Sequence, residues 1–511
     1  MKNVIIIMDD QHHAGAFGYQ GHPVVKTPNF DSFAAANIIF DQAFTSCPLC
    51  QPARISMLTG MYCHATQIYD NIGGMNPSVK TTRPDLPSLA RYLKAHGYYT
   101  GTTGKYHAAA LANPGWDYQF DDDSGYDEFI ASRGMPYAGC YNIPDLEKYP
   151  SPSISCSIVK LKEEETRTAY YADCALRFLD NRPQDKPFFL WMNFDSPHGP
   201  YTLIEKYACM YNPDSIPVAA RGSEADFPPE TQAWRRTRSY DNMSEDTLRK
   251  ALAFYYGSIT EVDQHFGRFI NALMEKKLYD NTIIIFLADH GDHAGDFRMV
   301  NKAFAYDSTL KIPFLMHAPG SDAFGKINTM VQNVDIFPTV CDALGLPKPM
   351  ELQGSSFYPF LNPAAGQCLP RKYILSEEKH YKTIRTQEFK LVYAPSYLSW
   401  QSGSCWTSQL YDLKKDPCER NNVFNDSAYS AVKNELIALL LEAVLDREFL
   451  PEPVETQAIT NDDHTRRYAE GHRKKADWQA KYNKELKKYF NPQVYLPTSE
   501  TSEGKKWAGG G

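Results

Sequence analysis

The sequence predicts an α/β fold: a mostly parallel sheet sandwiched by helices, followed by a smaller C-terminal α+β domain with a short antiparallel sheet. Three observations predict it. Apolar runs of strand length alternate with helical periodicity through about residue 345. Those runs are apolar throughout, without polar alternation, as strands covered on both faces are. After about residue 370 the pattern changes to short strand-like runs separated by turn residues. At 511 residues the chain exceeds the size at which one core stops growing. The expected division is 1–370, 371–450 and a polar tail, 451–511, that would lie on the surface or clasp a second subunit in a homo-oligomer.

The elements follow in order. Residues 4–8 form the first strand, which stops at Asp9-Asp10. Residues 85–96 read as a helix, with Leu86, Leu89, Ala90 and Leu93 on one face and Gly97 as its stop. Residues 98–103 return as a strand. A helix over 168–179 leads into the strand Phe188–Asn193. A longer helix covers 244–277, where Leu252, Tyr255, Ile259, Val262, Phe266, Ile270 and Leu273 keep three-or-four spacing. It feeds a strand at 282–287. Beyond residue 370, short strands fall at 373–375, 383–385, 390–393 and 409–413, with a helix near 428–444.

Composition narrows the function. Hydrophobic residues at 43% and charged residues at 22% are ordinary globular values. The formal net charge is −8 and no basic patch is visible, which argues against nucleic acid. The first apolar run is too short for a signal peptide or a membrane span, and no later run reaches spanning length. Eleven cysteines in no regular framework suit reduced thiols, so a cytoplasmic protein is expected.

In open α/β sheets, ligands gather where strands end. Four predicted strands end in chemically active groups: Asp10-Gln11, Lys105-Tyr106-His107, Ser196-Pro197-His198 and Asp289-His290-Gly291-Asp292. Carboxylates, imidazoles and ammonium groups at one sheet edge suggest a metal and an anionic substrate. A fifth element is Cys50-Gln51-Pro52-Ala53-Arg54. Pro52 suits the first turn of a helix, which puts Cys50 just before its N-terminus. Free N–H groups and the helix dipole there favour an oxyanion, with Arg54 one turn on as a charged clamp. His12 and His13 read as solvated loop residues, and Trp234-Arg235-Arg236 as a solvated basic turn. Asp292 and His293 are left to a supporting layer or the surface.

Cys50 to Arg54 matches Cys-x-Pro-x-Arg, and the chain resembles the type I, formylglycine-dependent sulfatases of the alkaline-phosphatase-like superfamily. The likeness extends in order through Met57-Leu58-Thr59-Gly60, Gly104-Lys105-Tyr106-His107, Ser196-Pro197-His198, Asp289-His290-Gly291, Lys302, Val334-Asp335-Ile336-Phe337-Pro338-Thr339 and Tyr411-Asp412-Leu413. The resemblance implies that a formylglycine-generating or anaerobic sulfatase-maturating enzyme converts Cys50 to formylglycine (3-oxoalanine), whose hydrate supplies two hydroxyls on one carbon. It implies that Asp10, Gln11, Asp289 and His290, with residue 50, hold one divalent cation. Oxygen donors suggest Ca²⁺; the histidine leaves Mn²⁺ or Mg²⁺ open. Arg54, Lys105 and Lys302 would add positive charge, His198 would protonate the leaving alcohol, and His107 would take the diol proton. The substrate would be a small carbohydrate or aryl sulfate.

Two positions depart from the common pattern. Ala53 stands where serine is usual. Gln11 stands where a second aspartate is frequent, a feature of the choline sulfatase and phosphonate monoester hydrolase branches. A strand shifted by one residue would make Asp9-Asp10 the pair instead. Two other readings stay open: a phosphonate monoester or phosphodiester hydrolase on the same scaffold, and a non-catalytic binding protein with unmodified Cys50.

Overall fold

The first apolar run lies at the middle of an eight-stranded sheet. The computed structural model describes residues 1–71, 86–111, 113–133, 141–142, 155–218, 227–321, 323–365, 370–395 and 406–445. Their strands are β1 (Asn3–Asp9), β2 (Ile38–Phe44), β3 (Tyr99–Gly104), β4 (Tyr118–Asp121), β5 (Tyr141–Asn142), β6 (Cys156–Val159), β7 (Phe188–Asn193), β8 (Tyr201–Ile204), β9 (Thr282–Ala288), β10 (Phe314–His317), β11 (Gly325–Gln332), β12 (Ile374–Glu377), β13 (Lys382–Arg385), β14 (Phe389–Tyr393) and β15 (Gln409–Asp412). The large sheet runs β11-β2-β10-β9-β1-β7-β3-β4. All its pairings are parallel except those of β10 with β9 and β2.

Alternation along β1 and β9 shows why their sequences are apolar throughout. Val4, Ile6 and Met8 enter one core cluster together with Ile283, Ile285 and Leu287. Ile5 and Ile7 enter another with Ile284 and Phe286. Both faces are covered, so the interior positions of these strands are apolar and buried polar residues fall only at their ends, at Asn3, Asp9 and Thr282. The first face is packed by Ile55, Met57 and Leu58 of the helix Cys50–Thr59 and by Leu89, Ala90 and Leu93 of the helix Leu89–Ala95. The second is packed by Val262, Phe266, Phe269 and Ile270 of the helix Glu245–Glu275 and by Tyr171, Cys174 and Phe178 of the helix Arg167–Asn181.

The long helix starts where Ser244 caps it, its side chain accepting from the Thr247 N–H. The helix expected over 85–96 starts later, at Leu89. Pro87 disfavours helical geometry at Leu86, and Ser88 then caps the helix by accepting from the Arg91 N–H. Asp85, the first residue of that expectation, lies outside the described residues.

A second sheet, β12-β13-β14-β15, is antiparallel throughout. Leu436, Leu440 and Ala443 of the helix Ser430–Leu445 pack on its Leu375, Ile384, Leu391 and Leu410. Tyr62 and Val334 join the same cluster, so this sheet is seated on the body of the molecule. A small third sheet, β5-β6-β8, was not anticipated. Among the described residues, no helix is long and apolar enough to cross a membrane. The polar tail, 451–511, and its expected role as a clasp lie outside the described residues.

Candidate active site

Register brings the reactive strand ends together. Asp9 pairs with Ala288, Met8 with Asn193, and Gly104 also with Asn193. The carboxyl ends of β3, β7, β1 and β9 therefore finish side by side, and the next residues of each strand fall on one edge. Gly104 turns β3 into the site. It has φ +77°, and a Cβ there would sit 1.8 Å from the Asn193 carbonyl oxygen. Two non-glycine residues of the site also take positive φ, Gln11 at 67° and His107 at 39°. Such backbone persists where surrounding contacts over-determine it. The Gln11 N–H bonds the Asp289 carboxylate at 3.1 Å.

Cys50 opens a ten-residue helix in which every residue is buried. No side chain caps that helix at Leu49. The Gln51 N–H is taken by the Asn71 side chain at 3.0 Å. Lys302 Nζ lies 3.0 Å from Cys50 Sγ, His290 Nε2 lies 3.2 Å away, and Asp10 Oδ1 lies 3.7 Å away. Donor atoms of Asp10, Cys50, Asp289 and His290 all fall within 4.8 Å of one another.

Arg54 is fully buried and spans the two carboxylates. Its Nε donates to Asp289 at 2.8 Å and its Nη2 to Asp10 at 3.2 Å, while Nη1 donates to the Lys105 carbonyl and to Asn193. Lys105 Nζ bridges Asp10 and Asp195, 2.8 Å from each. His107 lies close enough to Cys50 for the two side chains to interact electrostatically. His198 joins the group through its charge coupling to Lys302, Lys105, Asp10 and Cys50. The structure thus gathers the other nine candidate catalytic and metal-binding residues around residue 50.

Burial and charge set the protonation of this cluster. Burial raises the Asp10 carboxyl, but Lys105, His198, Lys302 and Arg54 outweigh it and hold it well below the usual range. Burial and the Asp10 charge push Asp289 up to about 6. Burial and Asp10 oppose ionisation of Cys50, yet Lys302, His290 and His107 bring its thiol well below the ordinary value. Burial, then Lys302 and Lys105, hold His198 down at about 4.

The donor set fits a divalent cation. The His290 ring nitrogen Nδ1 is 2.9 Å from the Gly291 carbonyl, an acceptor for an Nδ1–H, and its Nε2 points toward the cluster, where the neutral ring could ligate a metal. Gln11 is oriented in the same sense. Its Nε2 donates to Asp292 at 2.6 Å and to Asn301 at 3.1 Å, so its carbonyl oxygen faces Lys302, 2.9 Å away. Asp9 takes no part: it turns to His12, 2.5 Å away. The strand register is therefore the one that pairs Asp10 with Gln11.

Some expectations are corrected. His12 is fully buried and stacked on Phe17, because the Asp9 carboxylate satisfies its ring. Arg235 is 3% exposed and ion-paired with Asp241, because its helix, Pro229–Thr237, packs it inward. Asp292 and His293 are both buried. Four supporting residues were missed: Asn193, Asp195, Asn301 and Tyr255. Asn193 ends β7 and Asp195 lies two residues beyond it, so the rule that flagged the other strand ends would have found both. Tyr255, whose hydroxyl donates to the Gln11 carbonyl at 3.0 Å, carries no such signal.

A parallel sheet presenting two buried carboxylates, an imidazole and three cations at the N-terminus of a buried helix defines a hydrolase for esters of tetrahedral oxyanions. The family described as Sulfatase matches residues 2–346, and the one described as N-sulphoglucosamine sulphohydrolase, C-terminal, matches residues 295–445. The chain belongs to the sulfatase family and is a sulfuric ester hydrolase. It is 28% identical over 476 residues to the arylsulfatase of Clostridium perfringens (strain 13 / Type A), covering 87% of this chain and 95% of that protein. It is 25% identical over 512 residues to the N-acetylglucosamine-6-O-sulfatase of Bacteroides thetaiotaomicron, covering 86% of each. The crystal structure of the phosphonate monoester hydrolase of Agrobacterium radiobacter is similar at a TM-score of 0.73 and 25% identity, covering 89% of this chain and 100% of that one. That likeness carries the alkaline-phosphatase-like fold.

Proposed function

We propose that the protein hydrolyses a small carbohydrate or aryl sulfate through a nucleophile made from Cys50. The position of Cys50 carries this reading: its side chain lies between Lys302, His290 and Asp10 in the first turn of a buried helix. Converted to formylglycine and hydrated, residue 50 supplies two hydroxyls where a thiol supplies one nucleophile and no second proton. A divalent cation, Ca²⁺ by the oxygen-rich donor set, would be held by Asp10, Gln11, Asp289, His290 and residue 50, and would neutralise ester oxygens.

The chain's own residues do the rest. Lys105 and Lys302 bring two ammonium groups to the ester oxygens, and donors so placed are worth about 2.7–4 kcal/mol each. Arg54 holds Asp10 and Asp289 in place. His107, beside residue 50, is sited to take its proton. His198 gives a proton to the departing alcohol. Its low proton affinity suits a strong acid once an anionic ester beside it favours protonation. A maturating enzyme is the partner this reading requires. We place the protein in the cytoplasm, since the eight described cysteines are free thiols.

Mass spectrometry of the peptide containing residue 50, after co-expression with a maturating enzyme, tests the nucleophile. Replacement of the thiol by an aldehyde is the expected result, and Cys50→Ala is expected to abolish turnover with an unchanged melting temperature. A fully active chain that keeps its thiol would end the proposal. The likeness to a phosphonate monoester hydrolase supports a second reading, a phosphonate ester substrate. Aryl sulfate turnover well above aryl phosphonate turnover excludes it.

A further inference from the structure

A cavity of about 210 Å³ adjoins the site. Asp195, Ser196 and His198 form one wall. The long helix also lines it, through Ser258 and Glu261. It is smaller than the ~300–1,000 Å³ of drug-sized sites, so it suits one ring rather than a chain.

Glu261 is the feature the hydrolytic cluster does not use. It is 2% exposed, and its Oε1 is buried with no hydrogen-bond partner. A buried polar atom left unpaired costs about 1–3 kcal/mol, so a partner is expected for it. Burial raises its carboxyl, Thr166 and Thr168 oppose that, and it stands at about 7. Near that value both forms are populated. A hydroxyl can pair with either form, whereas an ammonium pairs only with the carboxylate. The remaining walls repeat this chemistry. Thr168, Ser196, Thr202 and Ser258 bring hydroxyl groups, while Ile130 and Leu203 bring apolar surface. Arg167 at the cavity is already engaged, 3.6 Å from Asp195 and over the Tyr126 ring. Hydroxyls set around an apolar face match a saturated polyhydroxylated ring.

We infer that this cavity holds the alcohol part of the ester as a polyhydroxylated ring, and that Glu261 determines specificity by bonding one of its hydroxyls. The inference rests on the sulfate-ester reading and narrows its substrate to the carbohydrate side. His198 shares the cavity wall, so a ring seated there keeps its departing oxygen beside the proton donor.

The test compares a hexose sulfate with cyclohexylmethyl sulfate, which has a similar ring and no hydroxyls. The readout is the ratio of their kcat/KM values in the wild type and in Glu261→Gln. A wild-type preference for the hexose ester that falls about tenfold or more in the variant is expected. Ser258→Ala, a smaller change one turn away, is expected to lower the same ratio about threefold, and it serves if the first variant does not fold. No wild-type preference, or a ratio untouched by both substitutions, overturns the inference. The proposed sulfate-ester substrate fails separately: a matured wild type that turns over neither of these esters nor an aryl sulfate removes it, whereas equal turnover of the hexose and cyclohexylmethyl esters leaves it standing and overturns only the inference about the cavity and Glu261.

Discussion

At the scale of residues, the proposed mechanism divides the cations of the site into one that supports the fold and others that would act on substrate. Arg54 is wholly buried between Asp10 and Asp289. Removing it leaves two buried carboxylates facing one another, and breaking such a pair costs about 3–5 kcal/mol. Arg54→Ala is therefore expected to lose both activity and several degrees of melting temperature. Lys302 is 14% exposed and reaches residue 50 and Gln11 by its tip. Lys302→Ala is expected to lower kcat about 100-fold or more while the melting temperature stays nearly unchanged. Calorimetry beside steady-state kinetics separates the two outcomes, and equal destabilisation by both variants would refute the division. Much of this was readable in advance. Cys50, Arg54 and Asp289-His290 stand in spaced motifs, and motifs are local. Asn301 and Tyr255 were not readable, because their contacts with Gln11 span 290 and 244 residues.

At the scale of elements, Gly104 and Glu377 give sharp expectations. Gly104→Ala would place a methyl against the Asn193 carbonyl at positive φ. The strained backbone alone costs about 1–3 kcal/mol, before the clash. Urea unfolding should show a loss above that range, and Lys105, next in the chain, should shift enough to reduce turnover. Glu377 ends β12 and is buried. Burial raises its carboxyl, but the His64 hydrogen bond and the Lys382 charge outweigh it and hold it at about 2, below its ordinary 4.5. A carboxyl depressed on folding stabilises the protein above its unfolded pKa and loses that contribution as pH falls toward the folded one. Melting temperature should therefore drop between pH 4.5 and about 2. Roughly 3 kcal/mol is at stake. Glu377→Gln should flatten that part of the curve, and an unchanged slope would contradict the assignment. The long central elements were legible because burial on both faces writes continuous apolar runs. Four-residue β10 was not, since its antiparallel insertion between β2 and β9 depends on neighbours distant in sequence.

At the scale of the whole molecule, the donor groups come from opposite ends of the catalytic sheet's chain order. A cation bound by Asp10 and Asp289 would tie the end of β1 to the end of β9, and binding only the folded form stabilises it. At about 100 times its Kd such a ligand contributes roughly 2.7 kcal/mol. Chelation should therefore remove activity and lower the melting temperature, with both restored by Ca²⁺. Full activity after exhaustive chelation would dispose of the metal. The order of strands in the sheet was not legible, because parallel neighbours such as β1 and β9 leave no trace in local composition.

The burial of Cys50 also sets a clock. The residue is 1% exposed, and its helix is enclosed along its whole length. An enzyme that must take residue 50 into its own active site cannot reach it once the sheet has closed. One closing contact, His290 on Cys50, lies 240 residues further along the chain. At a synthesis rate of about 5–20 residues per second, that stretch takes roughly 12–48 s to emerge. Under the proposed mechanism, conversion of residue 50 would be a race against translation, and the fraction of active molecules in a cell should then depend on how fast the ribosome runs.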